Sequence, residues 1–459
     1  MLRKIAIVLI LVFLSQFYIN PPASALVQFR DLQAQAAILA EKDSGTVLFE
    51  YNTHERHPAD ALSKIMTLLL ASYAVENDVI NDNELIEMTE TAWLDIDEDM
   101  PTQDILPGEE MTFIDLMYSA FLGNASEACN MLALRIAGSV EAFVRMMNEK
   151  AVELGCTSTQ FVNPHGLYNE NQYTTAHDML TLYTEAMKCV LFMEVASTFR
   201  HVTEGTEEFE ARTLTSSNAL LNQSSVYYYR FCTSGINSGT YEGAYSLVAS
   251  AEEEGMTLIS VILGAEITVF DDESTDMRNF SETQRLFLWG YSQFEWREIL
   301  KTTDLLKKVP VLHGAGGDFV NARPVEGLTL LLDKSIPNEA FEKVITIYSI
   351  ENDEPLVAPV SAGDILGEVV VMRDGVEYAR MKLVANTNID LNGFEYIRRQ
   401  IVEMLTTATA RYVIITLIAL VLLYVALVVR YNIVRANRLR RIKNAKSDII
   451  RQRHQNFRE

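Results

Sequence analysis

Residues 36–75 read AAILAEKDSGTVLFEYNTHERHPADALSKIMTLLLASYAV, and this stretch decides the fold. Ala36–Leu39 and Thr46–Tyr51 are short apolar runs on either side of Asp43-Ser44-Gly45. Gly accepts a positive φ, and Asp and Ser bond their own backbone, so the triplet predicts a turn between two strands. Ser63–Val75 follows as an apolar run and reads as a helix. A hairpin feeding an apolar helix is the start of a layered α/β structure.

Working outward, Phe113–Ile136 reads as a further apolar helix. Val140–Leu154 is amphipathic, with Ser139 as N-cap and Gly155 as its stop. Ser246–Ala251 and Thr257–Ala265 read as strands, followed by a helix from about Ser281 to Tyr291. Strands at both ends of residues 30–295, with helices between, predict an α/β sandwich with a helical insertion. Residues 299–390 differ. Leu328–Leu332, Lys343–Ser349, Gly367–Arg373 and Glu377–Val384 read as short strands, with Asp374-Gly375 as a hairpin turn and Gly314-Ala315-Gly316-Gly317 as a loop. This segment is expected to be a small all-β domain, and residues 392–411 an amphipathic linker helix.

The two ends set the compartment. Met1-Leu2-Arg3-Lys4, the apolar run Ile5–Leu14 and the exit Ala23-Ser24-Ala25 form the pattern of a signal peptide over residues 1–25. Tyr412–Val429 is uncharged throughout and, as a helix, about 27 Å long, enough to span a bilayer core. Residues 430–459 hold ten Lys/Arg against Asp448 and Glu459, which places this tail in the cytoplasm. The whole chain has a net charge of −24, with +2 in residues 1–25 and +8 in the tail, so residues 26–411 carry −34. That balance excludes nucleic-acid binding by the bulk of the chain. Cys129, Cys156, Cys189 and Cys232 permit two disulfides in an exported protein, or serve as buried thiols. No Cys/His spacing suits a metal, and no cofactor is expected.

Several strings then resemble the serine-type D-Ala-D-Ala carboxypeptidases, the low-molecular-mass penicillin-binding proteins. They are AAILAEKDSGTVLFEYNTHER (36–56), KIMTLL (64–69), EACNMLA (127–133), FVNPHGL (161–167), YTTAHDM (173–179) and SLVASAE (246–252), in the family's order over about residues 34–390. The resemblance implies a penicillin-binding, β-lactamase-like transpeptidase fold, a β-rich C-terminal domain and a membrane anchor. It also implies three reactive elements. These are a Ser with a Lys one helical turn on, a Ser-x-Asn loop, and a Lys-Thr-Gly strand edge that receives the terminal carboxylate.

Each element is altered here. The first aligns as Ala61-Leu62-Ser63-Lys64, with one extra residue after Pro58, so the base position Lys64 remains while the nucleophile position Ala61 has no oxygen. Ser63 adjoins Lys64 and points about 100° away from it on a helix. Asp60, four residues before Lys64, is placed to pair with it on one face and hold it charged. The second element aligns as Asn124-Ala125-Ser126, with Ser and Asn exchanged, and the third as Asn237-Ser238-Gly239, which lacks the cation. Losing a catalytic nucleophile costs on the order of a millionfold in turnover.

His165, in Asn163-Pro164-His165-Gly166, reads as part of a structural turn, and the other histidines share no spacing. The acidic runs around Asp95–Asp99 and Glu204–Glu210 read as solvated loops. The expectation is a membrane-anchored, catalytically silent homologue that binds peptidoglycan stem peptides or another cell-wall component. The alternatives are an active D-Ala-D-Ala carboxypeptidase using Ser63 or another Ser, and a cell-envelope scaffold.

Overall fold

The computed structural model describes residues 29–455, apart from 98–99, 206–207, 240–242 and 407. The signal-peptide reading of residues 1–25 lies outside the described residues. The chain divides into two compact units, residues 1–298 with Thr329–Ala340, and Ile299–Leu328 with residues 341–459.

In the first unit the opening hairpin forms β1 (Ala36–Glu41) and β2 (Val47–Tyr51). They join β3 (Cys232–Gly239), β4 (Tyr245–Glu253) and β5 (Met256–Ala265) in an antiparallel sheet of order β2-β1-β5-β4-β3. β3 is therefore an edge strand. Every residue of β1 is buried, because both faces of the sheet are covered. Ala36 and Ile38 face one hydrophobic cluster with Ile259, Val261 and Leu263, while Ala37 and Leu39 face another with Leu258 and Ile262. This period of two is the strand geometry read from the sequence.

The first cluster is filled by helices α1 (Lys64–Glu76), α2 (Phe113–Phe121), α3 (Ser126–Ala137), α4 (Val140–Glu153), α5 (Ala176–Ala186) and α6 (Val190–Ser197). The second is closed by α7 (Arg278–Gln293), through Phe280, Leu286 and Phe287. In α1, every residue from Lys64 to Ser72 is buried, so the helix has no solvent face over these about two and a half turns. In α4, the Ser139 hydroxyl accepts from the Ala142 N–H at 3.1 Å, and Gly155 follows at φ +83°.

Phe113–Ile136 is not one helix but two. α2 ends at Phe121 and α3 begins at Ser126. A Cβ on Gly123 would lie 2.7 Å from the Ser119 carbonyl oxygen and 2.9 Å from Gln103 and Leu214, and Asn124 takes φ +56°. Glycine permits the close approach, and Asn tolerates the left-handed turn better than most residues.

The second unit is β-rich. β6 (Lys307–Leu312), β7 (Phe319–Pro324), β8 (Glu342–Ile347), β9 (Leu356–Val357), β10 (Ile365–Arg373) and β11 (Val376–Ala385) form a sheet of order β8-β10-β11-β7-β6-β9. Asp374 and Gly375, at φ +51° and +79°, make the turn between β10 and β11. After α8 (Gly393–Thr406) comes α9 (Ala408–Gln455), a helix of 48 residues. Within its segment Arg411–Arg441, the most apolar 18-residue window has a mean hydropathy of 3.0, and none of that window is buried. The architecture is an α/β sandwich with a helical insertion, a β-rich unit and one long apolar C-terminal helix. All four cysteines are free thiols.

Candidate active site

Ala61 sits in a single 3-10 turn, Asp60–Ser63, that leads directly into α1. Asp60 opens this turn at φ +40°, a left-handed backbone that non-glycine residues rarely adopt. The turn is held from two sides. From β3, the Ser238 hydroxyl accepts the Ala61 N–H at 3.0 Å. From the loop of residues 163–167, the backbone of Gly166 is so close that a Cβ there would lie 2.2 Å from the Asp60 carbonyl oxygen and 2.7 Å from the Ala61 Cα. Gly166 is itself at φ +80°, so both its conformation and its contact require glycine. The Thr67 hydroxyl ties the same loop to α1 by donating to the Pro164 carbonyl at 2.7 Å. His165 is buried in it and pushed down to about 3, by burial and then by the nearby Lys64, so the ring is neutral.

Lys64 is 1% exposed. Its ammonium donates to the side-chain oxygen of Asn124, across the break between α2 and α3. Burial pulls its pKa below the ordinary lysine value, while Cys129 and Glu127 pull the other way. The Cys129 thiol is itself pushed up to about 11 by burial, so at neutral pH it carries no charge to oppose the shift. Glu127 is also displaced upward by burial, although its carboxylate accepts the Gln103 N–H at 2.7 Å. The Lys64 amine is thus desolvated and faces an amide rather than an anion.

Asp60 does not pair with Lys64. Residues 60–63 are wound as a 3-10 turn, so the i,i+4 facing of an α-helix does not apply. The Asp60 Oδ2 is buried without a partner, and burial raises its pKa to about 6. Ser63 and Ser126 are both fully buried, and neither hydroxyl has a hydrogen-bond partner among the described residues. The structure therefore brings Lys64 to Asn124 and Ala61 to Ser238, and leaves Ser63 and Ser126 aside.

On β3, Asn237 is half-buried beside Ser238, and its side-chain oxygen accepts from Asn279 Nδ2 at 2.6 Å. Asn279 lies at the start of α7 and its own Oδ1 has no partner. The sequence reading missed this residue. It is 42 positions away, in a segment with no motif, and only the fold brings it to β3. Among the described residues, no group of three His, Cys, Asp or Glu could hold a metal ion. An open cavity of about 600 Å³ beside Met187, Met193, Glu194 and Thr233 includes none of these residues.

Similarity to known proteins places this geometry in a family. The chain is 28% identical over 365 residues to D-alanyl-D-alanine carboxypeptidase DacF of Bacillus subtilis, covering 79% of this chain and 87% of the relative. It is 29% identical over 381 residues to D-alanyl-D-alanine carboxypeptidase DacC of Escherichia coli, covering 81% and 88%. In fold it is similar to penicillin binding protein 5 from Haemophilus influenzae, with a TM-score of 0.58 at 23% identity over 79% of this chain and 99% of that one. The profile of the D-alanyl-D-alanine carboxypeptidases matches residues 23–267, more than half the chain, and the protein belongs to that family.

Proposed function

We propose that this chain is a membrane-anchored member of the family that binds peptidoglycan stem peptides, or another cell-wall component, without hydrolysing them. One observation carries the reading. The residue one helical turn before Lys64 ends in a methyl group, and the Lys64 amine is engaged by the Asn124 amide. Acyl transfer of the serine type needs a hydroxyl nucleophile and a base within hydrogen-bond reach of it. Here the amine has no hydroxyl to deprotonate. Ser63 is a poor substitute, since its hydroxyl is buried and unconnected to Lys64. Polar groups that suit a ligand remain beside Ala61: the exposed strand end at Gly239, the half-buried Asn237, and Ser238, which holds the Ala61 turn.

The long apolar helix supports anchoring, and the positive residues beyond it support a cytoplasmic tail, with the preceding units outside the membrane. The test is release of D-Ala from a pentapeptide by the full-length protein in detergent. No release above buffer is expected, and turnover abolished by Ser63→Ala would establish the active alternative instead.

A further inference from the structure

Asn124 reaches Lys64 from a left-handed turn at φ +56°, and one loop, residues 101–105, pins that turn on both sides. Before Asn124, the Gln103 Nε2 donates to the Gly123 carbonyl at 2.8 Å. After it, the Ser126 N–H donates to the Pro101 carbonyl at 3.0 Å. The fit is close, since a Cβ on Gly123 would lie 2.9 Å from the Gln103 Cγ. A left-handed non-glycine residue is unfavourable by itself and persists where its surroundings over-determine it.

The loop is itself anchored. The buried Glu127 carboxylate accepts the Gln103 N–H at 2.7 Å and the Ile105 N–H at 3.4 Å. From another side comes Arg212, next to the strand pair Arg200–Val202 and Thr213–Thr215. Its Nε donates to the Gln103 carbonyl at 2.7 Å and its Nη2 to the Asp104 carbonyl at 2.9 Å. Both of its Nη groups also hold the buried Glu109 carboxylate. A planar guanidinium that bridges two carbonyls and a carboxylate fixes orientation, which the single point charge of a lysine does not. Gln103 thus spends its N–H on Glu127, its carbonyl on Arg212 and its side-chain amide on Gly123. The chain of contacts runs from Arg212 through Gln103 and Gly123 to Asn124, and ends on Lys64.

We propose that Gln103, held in place by Arg212, is a positioning residue that keeps the Asn124 turn closed and its side-chain oxygen seated on Lys64. The proposal rests on reading Lys64 and Asn124 as the altered reactive positions. The test uses full-length Ala61→Ser protein in detergent, with and without Gln103→Ala, and follows labelling by fluorescent penicillin as a function of pH. Gln103→Ala removes the bond to Gly123 and keeps the backbone bonds to Glu127 and Arg212. It also leaves in place Cys129, Glu127 and His165, the other titratable groups that act on Lys64. Labelling at neutral pH is expected to be about fivefold faster. Its pH midpoint should fall by about half a unit or more, because the Asn124 oxygen favours the ammonium form of Lys64. Thr102→Ala lies in the same loop, but its hydroxyl faces Asp104 at 3.5 Å, and it should change neither quantity. An unchanged or slower rate, a faster rate with an unchanged midpoint, or the same gain from Thr102→Ala overturns the proposal. If Ala61→Ser takes up no label, amide exchange decides. Peptides spanning residues 119–127 should exchange faster in Gln103→Ala than in the native chain, and equal exchange overturns the proposal. Label on the native chain overturns the non-hydrolysing reading alone, because the exchange comparison does not depend on it.

Discussion

At the scale of single residues, the proposed loss of catalysis comes down to a few atoms, and their effect is measurable. Ala61→Ser places a hydroxyl one turn from Lys64, yet the amine stays tied to Asn124. Breaking one such hydrogen bond is worth about 1.4 kcal/mol, or a factor of ten. Ala61→Ser/Asn124→Ser should therefore acquire fluorescent penicillin about tenfold faster than Ala61→Ser, in a time course read on a gel. Equal rates would show that Asn124 does not restrain the amine. Asp60 offers a second test. Its folded pKa, raised to about 6 from 3.8, means that the folded state binds more protons between those values. Its contribution is thus most favourable below about pH 4 and is lost as pH rises through 6. Asp60→Asn should stabilise the protein by about 1–2 kcal/mol at pH 7.5, after discounting for partial solvent access, and the gain should vanish below pH 4 in thermal melts. A pH-independent gain would contradict the assignment. The departures read at positions 61, 124 and 237 come from local strings in the sequence. The Asn279 partner and the unpaired Asp60 were not legible there, because each depends on backbone placement that no spacing rule conveys.

At the scale of elements, the sequence was most informative where a local signal had one meaning. The Asp-Ser-Gly turn, the featureless apolar α1 and the Ser139 cap of α4 all form as their residues dictate. The break between α2 and α3 was hidden, because the run from Phe113 to Ile136 is helix-compatible and only Gly123-Asn124 interrupts it. Crowding of Gly123 against Ser119, Gln103 and Leu214, a tertiary effect, accompanies the left-handed turn at Asn124. β3 was equally hard to see, since Cys-Thr-Ser-Gly-Ile-Asn-Ser-Gly has few of the branched and aromatic residues that favour strands. The loop of residues 163–167 turns out to be a wedge for the Ala61 turn. Gly166→Ala should cost about 3 kcal/mol or more, since a Cβ meets the Asp60 backbone and φ is +80°. A melting temperature within a degree or two of wild type would mean that the wedge yields freely.

At the scale of the whole molecule, the C-terminal helix of 48 residues is about 72 Å long, more than twice a bilayer core, so it has length to continue beyond the membrane as a basic rod. Full-length protein should stay with membranes in alkaline carbonate, whereas a chain ending at Thr406 should be released; a full-length protein that washes off would contradict anchoring. Fold class and family were both readable from ordered strings spread over the first unit, since those strings lie on the sheet and helices that build its core. The central claim concerns chemistry around Ala61 and Lys64, and the most direct measurement is covalent labelling of the full-length protein by a fluorescent penicillin. The account predicts no labelled band from the native chain and a band once Ala61 is replaced by Ser and Asn124 by Ser. A band from the native chain would contradict it, because it would reveal an activated oxygen that the geometry at Ala61 and Lys64 does not provide.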